Sequence, residues 1–207
     1  MRHHCGCFLE PSVVLTPSLF AIASTLGESS NLSDQQQAVE IYESLVKKTL
    51  NRSKNYVKAA EHYKEVILLE PNHKGALFNL ALLYRNQLGK PNDASSLALH
   101  LIQVHPSHMK SYLLLGDIEL TEKANTKQAK QYFEQALKLN PTNIQAKHNF
   151  CVALADEGEL EQSESCLLEA IAMTPKPQNY LLQHLEIIRE RLRSRGRRSL
   201  SSSTDDD

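Results

Sequence analysis

Apolar side chains in the second half of the chain recur with the period of amphipathic helices. Between residues 179 and 193 they stand at i, i+4, i+7 and i+11, which places them on one face of an α-helix. These residues are Leu181, Leu185, Ile188 and Leu192. The segments before this one repeat the spacing i, i+3 and i+7. Because each apolar face must be buried against another element, the pattern predicts an all-α fold of packed helices.

Four prolines end four similar phrases of the sequence, at Pro71, Pro106, Pro141 and Pro175. Their spacings of 35, 35 and 34 residues match the period of about 34 residues of tetratricopeptide repeats (TPRs). Proline cannot continue a helix, so each one is expected to end the second helix of a two-helix unit. We therefore predict a TPR helical solenoid. It consists of antiparallel helix pairs in a right-handed superhelix, with a C-terminal capping helix.

Small and large apolar residues are combined in each unit in the way that close helix packing requires. In the third unit, Gly116 and Ala129 allow two helices to approach, and Phe133 fills the space around them. The predicted core residues of the repeats are Leu80, Tyr84, Leu115, Gly116, Ala129, Phe133, Ala136, Phe150, Cys151 and Ala170.

The repeat pattern divides the chain into four segments. Residues 35–176 hold four units, the first of them degenerate, and residues 177–193 form the capping helix. Residues 1–34 are expected to be a disordered or non-native leader, and residues 194–207 a disordered tail, because both lack an apolar period. A signal-peptide interpretation of the leader stays open, with residues 21–23 (AIA) as the cleavage site.

Composition excludes several classes of protein. The chain has 207 residues, 41% of them hydrophobic, and a formal net charge of -1, which is an ordinary globular mix. Such a balance provides no basic field, so we expect no nucleic-acid partner. No run approaches the roughly 20 apolar residues of a membrane helix. We therefore expect no membrane-spanning helix within these residues.

The sequence contains none of the common motifs of catalytic or phosphate-binding sites, such as G-x-G-x-x-G, a P-loop or H-E-x-x-H. We therefore predict no catalytic residue, no cofactor and no metal. The carboxylates of residues 157–161 (EGELE) surround a glycine at an inter-helix turn and are expected to face water. The potential ligands in residues 3–7 (HHCGC) are too closely spaced for a tetrahedral site.

Polar side chains on the first helix of each repeat point to a binding groove. The first helices line the concave face of a TPR array, and mixed polar residues there suit an extended peptide or protein segment. Basic residues do not recur in the pattern of a carboxylate clamp, which argues against a carboxylate-clamp co-chaperone. An ordinary solvated groove is an equal alternative. The predicted groove residues are Asn79, Arg85, Lys110, Asp117, His148 and Asn149.

Two further features depend on the cellular compartment. Cys151 is expected in the core, and Cys166 on the paired helix could come near it. Free thiols and a disulfide therefore both stay open, and the disulfide would need an oxidising compartment. Asn31 and Asn51 begin N-x-S sequons and are possible glycosylation sites if the chain enters the secretory pathway.

Several phrases carry more than a generic repeat signal. They are GALFNLALLY (75–84), LLLGDIEL (113–120), QAKHNFCVALADEGELEQSESCLLEAIAMTP (145–175) and NYLLQHLEIIRERL (179–192). Together they resemble the C-terminal repeats of the transmembrane and tetratricopeptide-repeat-containing proteins, which are O-mannosyltransferases of the endoplasmic reticulum. The resemblance covers residues 56–193, and KHNFC followed by ESCLLE is its most specific part.

This resemblance implies a binding module of an enzyme family. The family joins a multi-pass membrane half, which transfers mannose from dolichyl-phosphate mannose, to lumenal TPRs. No catalytic residue carries over, because the chain does not contain that half, and the resemblance implies contact with a membrane only through that missing N-terminal half. Residues 1–52 do not match the upstream repeats, so the first unit would lack an apolar partner. The implied partners are acceptor proteins such as cadherins, in the lumen. The residues alone also allow a stand-alone soluble adaptor in the cytoplasm.

Overall fold

The computed structural model describes residues 11–176 and 178–202, with the side chains of residues 19–50, 54–176 and 178–196. Regular structure in these residues is entirely helical, so the all-α prediction is confirmed. The helices are α1 (Pro11–Gly27), α2 (Leu32–Ser53), α3 (Tyr56–Leu69), α4 (Lys74–Asn86), α5 (Pro91–Val104), α6 (Met109–Thr121), α7 (Thr126–Leu139), α8 (Ile144–Asp156), α9 (Leu160–Ala172) and α10 (Asn179–Ser202). The chain divides into an N-terminal part, residues 1–97, and a C-terminal part, residues 98–207.

Helices α2 to α9 succeed one another in pairs that coincide with the repeat pattern. The turn inside each pair contains one residue in the left-handed region, with φ of 47° at Lys54, 61° at Gly89, 50° at Ala124 and 85° at Gly158. Glycine adopts this conformation without steric cost, whereas Lys54 and Ala124 carry a Cβ there. The shape of the turn is therefore imposed by the helix pair that it connects, because two of the four residues do not favour it.

The prolines that end the second helix of one repeat also mark where the first helix of the next repeat begins. Two residues after Pro71, the Nδ1 atom of His73 accepts the backbone N–H of Ala76 at 3.0 Å. Two residues after Pro141, the Oδ1 atom of Asn143 accepts the N–H of Ala146 at 2.8 Å. Each bond satisfies an N–H group that the helix itself leaves unpaired. At these two boundaries, a proline followed by such a cap separates one repeat from the next.

The N-terminal part differs from the expected leader over residues 11–34. Helix α1 covers Pro11–Gly27, and α2 already begins at Leu32. Leu19, Ala23 and Leu26 on α1 pack against the core cluster that contains Tyr42 of α2. Their spacing of i, i+4 and i+7 puts them on one face of α1. Helix α1 therefore covers apolar surface of the first repeat, which the resemblance leaves without a partner. Residues 1–10 lie outside the described residues.

Two apolar clusters of described residues contribute to the core of the C-terminal part. One lies around Phe133, between α6, α7 and α8, and the other lies around Leu167, between α8, α9 and α10. Phe150 of α8 packs against both clusters. Within the first cluster, Gly116 of α6 lies directly against the ring of Phe133, and a methyl group at Gly116 would overlap that ring.

A disulfide joins the two helices of the fourth repeat. The Sγ atoms of Cys151 on α8 and Cys166 on α9 are 2.05 Å apart, and the Cα atoms are 5.5 Å apart. Both residues are buried. One helical turn before Cys166, the hydroxyl of Ser163 donates to the carbonyl oxygen of Cys151 at 2.8 Å. The pair that the sequence leaves open is thus a disulfide in this structure.

Helix α10 caps the last repeat and differs from the expected bounds. The predicted capping helix covers residues 177–193 and the predicted disordered tail residues 194–207, but α10 continues through Ser202. Pro177 and residues 203–207 lie outside the described residues. Leu181, Leu185 and Ile188 are buried in the α8–α9–α10 cluster. Arg189 also donates from Nε to Glu164 of α9 at 2.7 Å, so α10 is held by apolar contact and by charge.

Candidate partner-binding groove

Three polar residues of the predicted groove come together in the C-terminal part. Asn149 of α8 donates from Nδ2 to the carboxylate oxygen Oδ1 of Asp117 on α6 at 2.7 Å. On its other side, the Oδ1 atom of Asn149 lies 3.1 Å from the Nδ1 atom of His148. All three side chains are partly exposed. The first helices of the third and fourth repeats are therefore linked by polar groups at the surface.

A fourth residue, His184 of α10, extends this set. Its Nδ1 atom lies 2.8 Å from the Nε2 atom of His148. Tyr180, one turn earlier on α10, packs edge-on against the His148 ring, with 4.8 Å between the ring centroids. We call Asp117, Asn149, His148 and His184 the polar relay. The relay runs from α6 through α8 to α10.

The carboxylate fixes the direction of every hydrogen bond in the relay. Ionised Asp117 can only accept, so Asn149 must direct its NH₂ group towards it. The amide oxygen then faces His148 and requires a proton on its Nδ1 atom. In neutral His148, Nε2 is consequently an acceptor, and the Nδ1–H group of His184 donates to it. The tautomers of both histidines follow from one negative charge on α6.

Burial disfavours a positive charge on His148. It is the largest cause of the lowered pKa of His148, with a smaller effect of the neighbouring His184, while the bond to Asn149 acts in the opposite direction. A shallow depression adjoins this residue. Its lining is Ile144, Gln145, His148, Asn149, Gln178 and Tyr180. Neutral donors and acceptors thus surround the depression.

An apolar pocket of about 160 Å³ lies at the other end of α8 in the C-terminal part. Its floor comes from α9 and its walls from α8 and α10, and His184 also lines it. The apolar lining residues are Val152, Ala155, Leu167, Ile187 and Ile188. Arg191 and Asp156 lie at the same pocket, 4.0 Å apart. The polar depression and the apolar pocket therefore both adjoin the histidine pair.

The remaining predicted groove residues are not members of the relay. Lys110 is exposed on α6 and is not among the hydrogen-bonded residues of the relay. Asn79 and Arg85 belong to α4 in the N-terminal part. Asn79 is exposed and forms a hydrogen bond with the hydroxyl of Tyr63, whose pKa burial raises. Arg85 is half-buried near the end of the helix. The structure thus brings three of the six residues together.

Residues predicted for the repeat core are buried, with one exception. Phe150 is half-buried where it contacts two clusters. The side chains or backbones of the others have little or no exposed surface: Leu80, Tyr84, Leu115, Gly116, Ala129, Phe133, Ala136, Cys151 and Ala170.

The two sequons have different outcomes. Asn31 is exposed and caps α2, accepting the backbone N–H of Ser33 at 3.1 Å. The bond uses the side-chain oxygen, whereas a glycan would be attached through the nitrogen. The side chain of Asn51 lies outside the described residues, so the structure does not bear on that site.

Two groups of side-chain contacts in this part of the chain were not predicted from the sequence. No pattern in the sequence singles out His184 or Tyr180, yet both contact His148. Glu157 and Glu159 are expected to face water, but both accept bonds from Lys130 of α7. The bond to Glu157 is the largest cause of the raised pKa of Lys130, and it also lowers the pKa of Glu157. This contact joins the third and fourth repeats.

Two other kinds of site are absent from the described residues. In that part of the chain, no three His, Cys, Asp or Glu side chains form a group suited to a metal ion. Among the helices that the structure describes, none is both long enough and apolar enough to span a membrane. The cluster at residues 3–7 lies outside this region.

Comparison with known families and structures defines the class of protein. Two tetratricopeptide-repeat family models match residues 87–144 and residues 120–183. A solved structure of MamA, the RS-1 ArsTM double mutant, aligns with a TM-score of 0.68 at 20% identity over 82% of this chain and 97% of that chain. The first TPR of Spaghetti (RPAP3), bound to an HSP90 peptide, aligns with a TM-score of 0.52 at 22% identity over 59% and 94%. The chain is a tetratricopeptide-repeat protein, as predicted.

Curated relatives identify the family of these repeats. The protein O-mannosyl-transferase TMTC3 of Homo sapiens is 40% identical over 63% of this chain, and Tmtc3 of Drosophila melanogaster is 32% identical over 78%. The chain has a tetratricopeptide-repeat region of the TMTC family, as the resemblance predicted. It spans only 14% and 17% of the length of these two relatives.

Proposed function

We propose that this chain binds an extended segment of a partner protein in a groove on α6, α8 and α10. By the groove we mean the polar relay with the adjoining depression and apolar pocket. One observation carries the proposal: the relay joins Asp117, Asn149 and His148 of the predicted groove to His184 in one set of oriented hydrogen bonds. Side chains held in this way present their remaining donors and acceptors without further ordering on binding.

The chemistry of the groove suits a peptide chain. An extended peptide offers N–H and C=O groups along its length and side chains that alternate in direction. The depression at Gln145, Asn149 and Gln178 offers amide donors and acceptors for the backbone. The pocket lined by Val152 and Ile187 can take an aliphatic side chain. A protein of the same fold, the RPAP3 repeat, is bound to a peptide in its solved structure.

The family relationship supports a more specific role. We propose that the module serves protein O-mannosylation by holding acceptor proteins, such as cadherins, near a membrane-embedded catalytic half. The proposed location is the lumen of the endoplasmic reticulum. The Cys151–Cys166 disulfide supports that location, because disulfides persist in oxidising compartments and are rare in the cytosol.

A peptide array tests the proposal directly. Overlapping segments of a cadherin ectodomain, with scrambled versions of each, are probed with the purified chain. We expect selected segments to bind, and the double variant Asp117→Ala, Asn149→Ala to lose most of that binding. The matched control changes Glu134 and Lys138 to alanine, two exposed residues on α7. Equal binding of scrambled segments, or full binding by the groove variant, would refute the groove.

A second experiment separates the family role from a free adaptor. Source cells are fractionated, treated with glycosidase and probed with an antibody to residues 144–175. A large membrane-bound band supports the module of an O-mannosyltransferase. A soluble band near 23.3 kDa that glycosidase does not shift would instead indicate a stand-alone adaptor.

A further inference from the structure

The histidine pair in the groove can hold one extra proton but not two. In the neutral relay, the Nδ1–H of His184 donates to the Nε2 atom of His148 over 2.8 Å. A first proton on the Nε2 atom of His184 leaves this bond in place and makes its donor cationic, which strengthens it. A second proton has to go to the Nε2 atom of His148. Two N–H donors would then face each other, and the bond between α8 and α10 would be lost.

A doubly protonated pair has no alternative arrangement, because each imidazolium ring carries a proton on both of its nitrogens. His148 already carries a proton on Nδ1, because the Asn149 oxygen accepts there. The side-chain amide of Asn149 cannot flip, because its oxygen would then face the Asp117 carboxylate. In the doubly protonated pair, the two facing nitrogens, Nδ1 of His184 and Nε2 of His148, are both N–H groups, whichever tautomers the neutral rings adopt.

Few other charged groups of the described residues lie near the two histidines to stabilise or destabilise their protonated forms. Asp117 reaches the pair from α6 through Asn149, and the Asp156–Arg191 pair of α8 and α10 lines the pocket beside His184. Lys147 of α8 is engaged elsewhere, since it binds Glu169 of α9. Tyr180 contributes its ring edge to His148. The burial of His148 adds to the cost of charging it.

We propose that the His148–His184 pair is a proton-operated switch that opens the α8–α10 wall of the groove under acidic conditions. This inference rests on the proposed function for its biological meaning, because the wall that opens is the one expected to hold the partner. The opened pair binds one proton more than the closed pair. The equilibrium constant for local opening of α10 should therefore rise about tenfold per pH unit below the ordinary histidine pKa of about 6.5.

Hydrogen exchange on the free chain tests the switch without a partner. Protection factors for residues 181–189, corrected for the intrinsic pH dependence of exchange, are measured from about pH 7.5 to about pH 5.5. We expect protection to fall about tenfold per pH unit over the acidic part of this range. His184→Gln, which keeps a donor for His148 but does not titrate, should weaken the dependence, and the remainder, which comes from the burial of His148, should be lost in His148→Gln. His100→Gln on α5 serves as the matched histidine control and should retain it.

Either of two results overturns the switch. Protection of α10 in the natural chain that does not change with pH shows that the pair has no such effect. A pH response that is unchanged in His184→Gln assigns it to another group. His148→Gln and the helicity of each variant, measured by circular dichroism, show whether a loss of response reflects misfolding. A chain that shows the response but binds no peptide keeps the switch and refutes the proposed function.

Discussion

The contact between Gly116 and Phe133 gives the sharpest test of the packing. In an ordinary helix interior, replacing glycine by alanine stabilises by about 1 kcal/mol. At Gly116 the added methyl group meets the ring of Phe133, which is fully buried. Overpacking of this kind costs about 1–3 kcal/mol. We therefore expect Gly116→Ala to lower the free energy of unfolding by up to about 2 kcal/mol.

A matched glycine provides the control. Gly196 lies on α10, and a Cβ there would meet no atom within 4 Å. Gly196→Ala should leave stability unchanged or raise it by up to about 1 kcal/mol. Urea unfolding followed by circular dichroism measures both variants, since the chain has no Trp. Each kcal/mol corresponds to a shift in Tm of about 2–4 °C for a chain of this size.

A double-mutant cycle identifies the ring as the cause. Phe133→Leu makes room beside Gly116, so the alanine should cost less in that background. The double variant should be more stable than the sum of the two single changes predicts, by a coupling energy of about 0.5–3 kcal/mol. Two results would show that the close approach of α6 and α7 has been misjudged. One is a Gly116→Ala variant as stable as Gly196→Ala, and the other is an equal cost of Gly116→Ala in the natural chain and in the Phe133→Leu background.

Four further changes test other contacts. Ala129→Gln should cost about 1–3 kcal/mol of unfolding free energy through overpacking of a fully buried position; an unchanged Tm would contradict this. Replacing Cys151 and Cys166 by alanine should cost about 3 kcal/mol in urea unfolding, as expected for a closed loop of about 15 residues, and a reductant should then have no added effect. Lys130→Met should cost about 0.5–1 kcal/mol by the same assay, with a smaller loss in high salt. His62→Leu should be neutral or stabilising and should reduce the loss of stability below about pH 6.5. That residue is buried with its Nδ1 atom unpaired, and burial lowers its pKa, so folding is favoured above that pH and weakened as pH falls.

The regular repeats could be predicted because their signals are local. Proline spacing and the alternation of small and large residues place helices α4 to α9 without knowledge of distant contacts. Helix α1 could not be predicted in this way. Its sequence contains Pro17 and has almost no amphipathic period, so a helix there depends for its stability on tertiary contact with Tyr42 of α2 and the rest of that cluster.

The groove could be predicted only in part, because one of its residues is recognised only through a contact that is distant in the sequence. Asp117, His148 and Asn149 could be proposed from their positions on first helices, but no local pattern selects His184. It is 36 residues from its partner His148. That separation is close to one repeat, so alignment of α10 as a further first helix would have placed the two histidines at neighbouring positions. The bonds from Lys130 to the carboxylates of residues 157–161 were missed because charged turns usually face water, and nothing local distinguishes a paired carboxylate from a solvated one.

Phe150 has a consequence for how the C-terminal repeats lose their structure. An array of repeats behaves as a linear chain of units coupled to their neighbours, and the strength of each coupling decides whether the units melt singly or as a block. Because one aromatic ring packs into the clusters of both the third and the fourth repeat, it contributes directly to that coupling. A smaller side chain at this position would weaken the cooperativity of melting as well as the stability, so that the last repeat could unravel while the preceding one stays folded.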